Sequence, residues 1–339
     1  MQTSSQTAAV EEPLLTARRI FSLIATELAL VEEEFERQAR SNIQVIAYIG
    51  DYLRASGGKR VRPALTLLST CAAGGDASRP NVVSMATVME FLHTATLVHD
   101  DIIDNAETRR NRPSINSRFG NQTAVLMGDW LYMSAFETSL RERSLPVLDI
   151  LTAVTRKMTE GELMQLTVIG RADVSEEQYF DILRRKTAFL FSACCEIGAI
   201  LGGASEAEQR ALRDYGMNLG TAFQLVDDLL DFTSDDGALG KAAGVDLLEG
   251  KLTLPLIYLL EEEPGMTASV QSVMREGNYN EFSRDLFMRE AEKTGATARA
   301  RSRAASYAEA AARSLEDIKP SKHKDALRSI PSYILERET

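Results

Sequence analysis

Apolar residues recur at helical spacing along most of this 339-residue chain. Ile20, Ile24 and Leu28 begin the first such stripe, in which side chains four positions apart share one face of a helix. No stretch alternates apolar and polar residues between hairpin turns, so no β-sheet is predicted. The pattern predicts an all-α fold in which one helical domain, residues 14–339, surrounds a central cavity with antiparallel helices. Residues 1–13 are predicted to be a disordered tail.

Turn and capping residues set the ends of several predicted helices. A helix from Ile43 ends at Gly57-Gly58, because glycine is common just past a helix C-terminus. Asn81 is predicted to cap a long helix that follows. Ser175 begins a capping box for a later helix.

Two long helices carry the same acidic motif, Asp-Asp-x-x-Asp, in an apolar setting. The motifs are formed by Asp100, Asp101 and Asp104 and by Asp227, Asp228 and Asp231. Residues four positions apart share a helix face, so the first and last carboxylates of each motif are neighbours. Acidic runs are more often solvated helix faces, but two copies flanked by Leu, Val, Ile and Phe are not expected on a solvated surface. Carboxylates suit Mg²⁺, which completes its shell with water and phosphate oxygens, so the pair predicts a metal–diphosphate site.

The composition and net charge of the chain limit the kinds of molecule that it can bind. Hydrophobic residues make up 44% of the chain and charged residues 26%, which is a globular balance. The net charge of −11 argues against nucleic-acid binding, which needs a basic surface. An anionic substrate must therefore meet a local cluster of cations. The cysteines, Cys71, Cys194 and Cys195, match neither a disulfide framework nor a zinc site.

The N-terminal sequence has no basic segment followed by an apolar one, so no signal peptide is predicted. No uninterrupted apolar run reaches the length of a membrane span. We therefore expect a cytoplasmic protein with no membrane span.

Basic residues precede and follow the acidic motifs. They are Lys59, Arg60, Arg62, Arg109, Arg110, Lys186, Lys241 and Lys251. Arg109 and Arg110 come about one helical turn after Asp104, within reach of a ligand bound there. Any single one of these residues is more often a solvated surface residue. Together they offer the cations that the outer oxygens of a metal-bound diphosphate require.

Two polar residues on the motif helices have an ambiguous role. His93 lies about two helical turns before Asp100, and Gln224 lies three residues before Asp227. Each is either a hydrogen-bonded core residue, the more common case, or a ligand of phosphate.

Taken together, these motifs resemble those of the trans-isoprenyl diphosphate synthases, also called polyprenyl synthetases. The matching stretches are Gly57-Gly58-Lys59-Arg60-x-Arg62-Pro63, the two acidic motifs, Arg109-Arg110, Lys186-Thr187, Phe223-Gln224 and Gly250-Lys251-x-Thr253-Leu254-Pro255. They span about residues 45–260 and are highly specific as a set. Asn111 is a departure, since the family more often has glycine after the arginine pair. The resemblance is to the long-chain members, the octaprenyl and solanesyl diphosphate synthases.

The resemblance implies an isoprenoid-synthase fold and a transferase that condenses isopentenyl diphosphate head-to-tail onto an allylic diphosphate. About three Mg²⁺ ions would join the allylic diphosphate to the two motifs. Direct metal ligands would be Asp100, Asp104 and Asp227, whereas Asp101, Asp228 and Asp231 would be further ligands or hold metal-bound water. The allylic diphosphate would be held by Arg109, Lys186 and Lys241, and isopentenyl diphosphate by Lys59, Arg62, His93 and Arg110, with Lys251 assisting. Thr187 and Gln224 have oxygen dipoles suited to stabilising an allylic cation.

Product length is expected to depend on small residues before the first motif. The growing tail would pass Ala95 and Thr96, where aromatic residues would stop it early. Candidates for the far end of the tunnel are Met127, Leu131, Met133 and Phe136, each of which is more simply a core residue. We expect a long product of the octaprenyl or solanesyl type, feeding quinone side chains, with geranylgeranyl diphosphate as the alternative.

Three other functions are weaker interpretations. A terpene cyclase would have an Asn/Asp-x-x-Ser/Thr-x-x-x-Glu motif in place of the second acidic motif and would lack the cations at Lys59 and Arg62. A non-catalytic subunit of a heteromeric synthase would be expected to lose one of these motifs. An acidic helical scaffold would leave the pairing of acids and cations unexplained. The resemblance also implies a homodimer, with at most peripheral membrane contact for product release.

Overall fold

Helices make up almost all of the regular structure in the computed structural model, which describes residues 14–55, 57–110, 112–234 and 243–336. The first helices are α1 (Ala17–Ser22), α2 (Ala25–Ala39), α3 (Gln44–Ala55), α4 (Val61–Ala72), α5 (Pro80–Ile103), α6 (Ile115–Phe119), α7 (Asn121–Arg141) and α8 (Leu145–Val168). They are followed by α9 (Glu176–Leu183), α10 (Phe189–Gly202), α11 (Glu206–Thr233), α12 (Val245–Leu248), α13 (Leu254–Glu262), α14 (Thr267–Glu276), α15 (Arg284–Lys293), α16 (Ala296–Ser314) and α17 (Lys322–Leu335). A π-helical turn, Arg184–Ala188, joins α9 to α10, and a 3₁₀ turn, Pro264–Met266, precedes α14. The predicted all-α fold is confirmed.

A short hairpin corrects the prediction that the chain has no sheet. Strands β1 (Thr108–Arg109) and β2 (Arg112–Pro113) pair antiparallel, with Thr108 opposite Pro113. Arg110 lies in the turn between them with a φ of 52°, in the left-handed region. Strands of two residues are too short to show alternation, which is why the pattern did not predict them.

The predicted helix ends are partly right. Ser175 caps α9 in a capping box with Gln178, as predicted. Asn81 does not cap α5, because that helix begins one residue earlier at Pro80, whose missing N–H costs nothing in the first turn. The Asn81 amide instead donates a hydrogen bond to Glu142 Oε1 at 3.0 Å.

One contiguous hydrophobic core runs from Ile20 in α1 to Ile334 in α17. Within it, α10 packs against α4, α8 and α11, and α5 packs against α4 and α7. These helices surround the cavity described below. A single domain spanning residues 14–339, preceded by a tail at residues 1–13, stays a prediction.

Among the described residues, α5 is long and apolar enough to cross a membrane by length and composition. However, 67% of its apolar window is buried inside the protein. The helix therefore has the burial of a core helix, and it carries the first acidic motif at its C-terminal end.

Candidate active site

A large cavity of about 1310 Å³ brings the predicted acids and cations together. The predicted residues that line it are Lys59, Arg62, His93, Thr96, Asp100, Asp104, Arg109, Arg110, Lys186, Thr187, Gln224 and Asp227. They come from distant parts of the chain: the turn before α4, helices α5 and α11, the hairpin and the π-helical turn. The cavity therefore combines carboxylates, which suit a metal ion, with cations, which suit an anion.

The first motif divides between two sides of α5. Asp100 and Asp104 line the large cavity, whereas Asp101 is buried and points toward the hairpin. Arg109 Nε donates to Asp101 Oδ1 at 2.6 Å. Asp101 therefore fixes the guanidinium of Arg109 at the wall of the cavity.

The second motif divides in the same way. Asp227 lines the large cavity, and Asp228 is buried beside it. Asp228 accepts hydrogen bonds from Tyr179 Oη at 2.5 Å and from Gln224 Nε2 at 2.8 Å. Asp231 accepts from two backbone N–H groups at the start of α12, at 3.2 and 3.1 Å. These bonds join the end of α11 to α9 and to the start of α12.

The concentration of carboxylates in the two motifs favours the binding of a cation. Burial raises the pKa of Asp100 to about 7, and the nearby carboxylates of Glu162 and Asp104 act in the same direction. The side chain of Asp100 has no hydrogen-bond or ion-pair partner within the described part of the chain, although the nearby cations Lys186 and Arg109 act on its pKa in the opposite direction. Burial likewise raises the pKa of Asp228 to about 6. The site therefore concentrates negative charge that the protein only partly neutralises.

The donors fit Mg²⁺ bound together with a diphosphate. All are carboxylate oxygens, which hard divalent cations prefer. No three His, Cys, Asp or Glu side chains in the described ranges converge closely enough to form a complete metal cage. Mg²⁺ characteristically uses only one or two carboxylates in phosphate sites and takes its other ligands from substrate and water. The arrangement of Asp100, Asp104 and Asp227 suits that kind of site.

Lys186 lines the cavity from the π-helical turn Arg184–Ala188. Such turns are common at functional sites. Lys186 Nζ forms an ion pair with Glu162 Oε2 at 2.9 Å. Gly161 permits this close packing, since a Cβ there would lie 2.7 Å from the Cβ of Arg185. The next residue, Thr187, donates to Gln224 Oε1 at 2.8 Å, so these two residues form one hydrogen-bonded unit.

Arg60 lies in the turn before α4 and Arg62 lies in the first turn of that helix. Arg60 has a φ of 50°, and its side chain pairs with Glu32 and, at 2.7 Å, with Glu90. Arg62 lies over the ring of Phe191 at 5.0 Å, and its buried Nε has no hydrogen-bond partner among the described residues. A guanidinium whose buried Nε has no hydrogen-bond partner is suited to binding an anion. Arg110 reaches this turn from the hairpin and donates to the carbonyl of Gly57.

The segment after α12 contacts the first acidic motif. Lys251 Nζ lies 3.3 Å from Asp104 Oδ2 and 2.7 Å from Glu249 Oε2. Lys251 lines a smaller neighbouring cavity of about 140 Å³, which Lys186, Thr187 and Gln224 also border. Lys241 and Asn111 lie outside the described residues.

Four acidic or phenolic side chains in or beside the site were not expected. They are Glu90, Glu162, Tyr179 and Asp246. Glu162 follows Gly161 on α8, and a glycine within a helix could have indicated that another helix packs closely there. The other three became recognisable only through partners distant in the chain, such as Tyr179 with Asp228.

The residues expected to set product length are only partly at the cavity. Thr96, Met133 and Phe136 line it. Ala95 is fully buried and is not among the lining residues, and the same holds for the core residues Met127 and Leu131. Of the two positions predicted to limit product length, Thr96 therefore borders the cavity and Ala95 does not.

His93 is predicted to act as a neutral hydrogen-bonding group. Burial lowers its pKa well below 6.5, and the cations of Arg62 and Arg110 lower it further. We expect His93→Gln to keep the KM for isopentenyl diphosphate within about threefold, with an unchanged profile from pH 6 to 8. His93→Leu should raise that KM about tenfold, because the hydrogen bond is lost. A shifted acid limb in His93→Gln would contradict the neutral assignment.

Comparison with known proteins identifies the family. A sequence model of the polyprenyl synthetase family matches residues 43–286. The chain is 38% identical over 265 residues to the octaprenyl diphosphate synthase of Escherichia coli (strain K12), covering 78% of this chain and 81% of that protein. It is 35% identical over 328 residues to the octaprenyl diphosphate synthase of Haemophilus influenzae, covering 96% and 99%. A crystal structure of a polyprenyl synthase from Caulobacter crescentus, complexed with calcium and isoprenyl diphosphate, superposes with a TM-score of 0.89 at 33% identity, covering 96% of this chain and 98% of that one. The chain therefore belongs to the polyprenyl synthetase family.

Proposed function

We propose that this protein is a long-chain trans-prenyltransferase of the octaprenyl type. It condenses isopentenyl diphosphate onto an allylic diphosphate and repeats the step to build a chain suited to quinone side chains. The observation that carries this function is one large cavity whose lining has two sets of charged side chains. It combines the carboxylates of Asp100, Asp104 and Asp227 with the cations Lys59, Arg62 and Arg110, which supports two anion sites. A terpene cyclase would have no use for the second site.

The first anion site is proposed to bind the allylic diphosphate with Mg²⁺. Asp100, Asp104 and Asp227 would hold about three ions, whose positive charge makes diphosphate a better leaving group. Calcium is present in the related Caulobacter crescentus structure. Arg109 and Lys186 would bind the outer phosphate oxygens, and Lys186 would exchange its partner Glu162 for the substrate. Asp101, Asp228 and Asp231 would position these groups through the bonds described above.

The second anion site is proposed to bind isopentenyl diphosphate. Lys59, Arg62 and Arg110 would neutralise its charge, and His93 would add a neutral hydrogen bond. Because both sites open into one cavity, the double bond of isopentenyl diphosphate can attack the allylic carbon as its C–O bond breaks. Thr187 and Gln224, which are hydrogen-bonded to each other and line the cavity, would stabilise the developing allylic cation through their oxygen dipoles. Loss of a proton to the departed diphosphate completes the new double bond.

Two variants at adjacent positions test which residue limits the product length. We expect Thr96→Phe to shorten the main product, because Thr96 lines the cavity where the tail would lie. Ala95→Phe should instead destabilise the protein by about 1–3 kcal/mol, because Ala95 is fully buried and a larger side chain overpacks the core. Product chromatography and thermal unfolding distinguish the two effects. The assignment is wrong if Thr96→Phe leaves the product distribution unchanged while Ala95→Phe shortens it in a stable protein.

We further propose that the protein is a cytoplasmic homodimer that contacts membranes only peripherally, to release its product. The burial of α5 within the core supports the absence of a membrane span. Exposed apolar side chains on α7 and α8, including Leu126 and Leu163, support an interface between subunits. Cell fractionation and light scattering test these two statements.

The overall proposal is tested by product analysis with purified protein, Mg²⁺, labelled isopentenyl diphosphate and farnesyl diphosphate. Chain lengths are resolved after dephosphorylation. We expect a ladder that ends at forty carbons or more. A stop at twenty carbons would indicate a geranylgeranyl diphosphate synthase, and no extension of any primer would favour a non-catalytic subunit.

A further inference from the structure

Residues 244–251 connect the two acidic motifs. At one end, the N–H of Gly244 donates to the backbone carbonyl of Asp231 at 2.7 Å, and the next two N–H groups donate to the Asp231 carboxylate. At the other end, Lys251 Nζ lies 3.3 Å from Asp104 Oδ2. The short helix α12 lies between these contacts. We call residues 244–251 the linking segment, because a shift of its backbone would move a contact of each motif.

Tyr279 and Arg284 hold the start of the linking segment. Tyr279 Oη donates to the carbonyl of Gly244 at 2.7 Å. Arg284 Nε donates to the carbonyl of Phe232 at 3.3 Å, and Arg284 Nη2 donates to the carbonyl of Ser234. Both of these carbonyls lie at the C-terminal end of α11, the helix that carries the second motif. The two side chains therefore join the end of the motif helix to the start of the linking segment.

These contacts are close and suit the chemistry of a helix end. The last carbonyls of a helix have no partner within it, and a cationic donor both satisfies them and complements the negative end of the helix dipole. Arg284 is such a donor at the end of α11. A Cβ on Gly244 would lie 2.6 Å from Arg284 Cδ and 2.6 Å from Tyr279 Oη. Glycine at this position therefore allows both side chains to pack directly against the backbone.

Neither side chain touches the reacting groups. Tyr279 and Arg284 are not among the residues that line the 1310 Å³ cavity or the neighbouring 140 Å³ cavity. They come from the turn after α14 and from the first residue of α15. Ser272 Oγ on α14 donates to Glu281 Oε2 at 2.8 Å, which fastens that turn to the helix before it. Any effect of the pair on the reaction must therefore pass through the backbone that it holds.

We propose that Tyr279 and Arg284 are positioning residues for the metal–diphosphate site. By fixing the linking segment, they keep Asp231 and Lys251 in the arrangement that binds Mg²⁺ and the allylic diphosphate between the two motifs. A site that is already ordered spends less of its binding free energy on ordering its own backbone. This inference rests on the proposed function, because it deepens the role of the site assigned there to the allylic substrate. Isopentenyl diphosphate is assigned to the cations near α4 and the hairpin, so its binding should not depend on the pair.

The first measurement is titration calorimetry of Mg²⁺ in the presence of inorganic pyrophosphate, which needs no prenyl transfer. Arg284→Met removes both bonds to α11 and keeps an apolar stem of similar length. We expect it to raise the Mg²⁺ concentration at half-saturation about tenfold, because bonds from a charged donor are lost. Tyr279→Phe removes one neutral bond and should raise that concentration about threefold. Arg284→Lys retains a cationic donor and should recover most of the wild-type affinity.

Steady-state kinetics are the second measurement. Arg284→Met and Tyr279→Phe should raise the KM for the allylic diphosphate by similar factors and leave the KM for isopentenyl diphosphate within about twofold. Arg289→Met is the matched control, because Arg289 is exposed on the same helix and its Nε bonds to the carbonyl of Asp285 within that helix. This control should change neither the metal affinity nor either KM. Thermal unfolding without metal reports the purely structural effect of each substitution.

The proposal is overturned if Arg284→Met lowers the unfolding temperature but binds Mg²⁺ with pyrophosphate as the wild type does. An equal rise in both KM values also overturns it, since the pair would then support the whole cavity. If Arg284→Met does not fold, Tyr279→Phe and Arg284→Lys decide by the same measurements. If the wild type extends no primer, the proposed function fails, and calorimetry alone then tests the pair. A wild-type protein that binds no Mg²⁺ with pyrophosphate would overturn the positioning role together with the metal site.

Discussion

Replacing Asp100 with asparagine is expected to lower kcat by about three orders of magnitude while raising the stability of the metal-free protein. Asp100 lines the cavity, and its side chain has no hydrogen-bond or ion-pair partner among the described residues. Its proposed role is to bind the metal that stabilises the leaving diphosphate, so turnover should depend on its charge. Asp227→Asn, in the second motif, should lower kcat to a similar degree.

The stability change at Asp100 has a definite pH dependence. Its pKa is raised from 3.8 to about 7, so the folded protein retains the proton to higher pH than the unfolded chain does. The charged carboxylate therefore destabilises the folded state progressively as the pH rises from about 4 to about 7. Asp100→Asn should unfold at the same temperature as the wild type near pH 4 and at a higher temperature above pH 7. Mg²⁺ with pyrophosphate should remove the difference by stabilising only the wild type.

Thermal unfolding across pH and steady-state kinetics measure these two effects independently. Asp149→Asn, which changes an exposed carboxylate on α8, is the control and should alter neither. Near-normal turnover in Asp100→Asn or Asp227→Asn would contradict the metal assignment. A lower unfolding temperature in Asp100→Asn would mean that its carboxylate is neutralised within the folded protein.

Replacing Arg62 with methionine is expected to raise the KM for isopentenyl diphosphate about 100-fold. Its guanidinium is buried over Phe191 and retains an unused Nε donor. A diphosphate would satisfy that donor through a charge-assisted bond, whereas methionine fills similar space without charge. Arg62→Lys should raise the KM by about tenfold, since a point charge cannot reproduce the planar pair of donors.

Initial rates against each substrate separately distinguish the two anion sites. The KM for the allylic diphosphate should change little in the Arg62 variants, because that substrate is assigned to the opposite side of the cavity. Arg54→Met is the control, since Arg54 is an exposed cation on α3 whose side chain is 44% accessible. An equal rise in both KM values would mean that Arg62 organises the whole cavity and does not bind isopentenyl diphosphate specifically.

The sequence alone determines those features that depend on residues close together in the chain. The spacing of Asp100 and Asp104 puts them on one helix face, because helical geometry is set locally by the backbone. For the same reason, the capping box at Ser175 and the all-α class of the chain were predicted correctly. The identification of the family likewise came from short motifs whose internal spacing is local.

Within each motif, which aspartate lines the cavity and which is buried depends on contacts between distant segments of the chain. Asp101 turns away from the cavity because Arg109 folds back in a hairpin too short to be recognised from alternation. Asp228 is held by Tyr179, 49 positions away, and Lys186 by Glu162 on another helix. Ala95 and Thr96 are adjacent, yet only one of them faces the cavity. Periodicity defines the faces of a helix, but which face borders a ligand is decided by the neighbours that pack against the others, and that packing exists only in the tertiary structure.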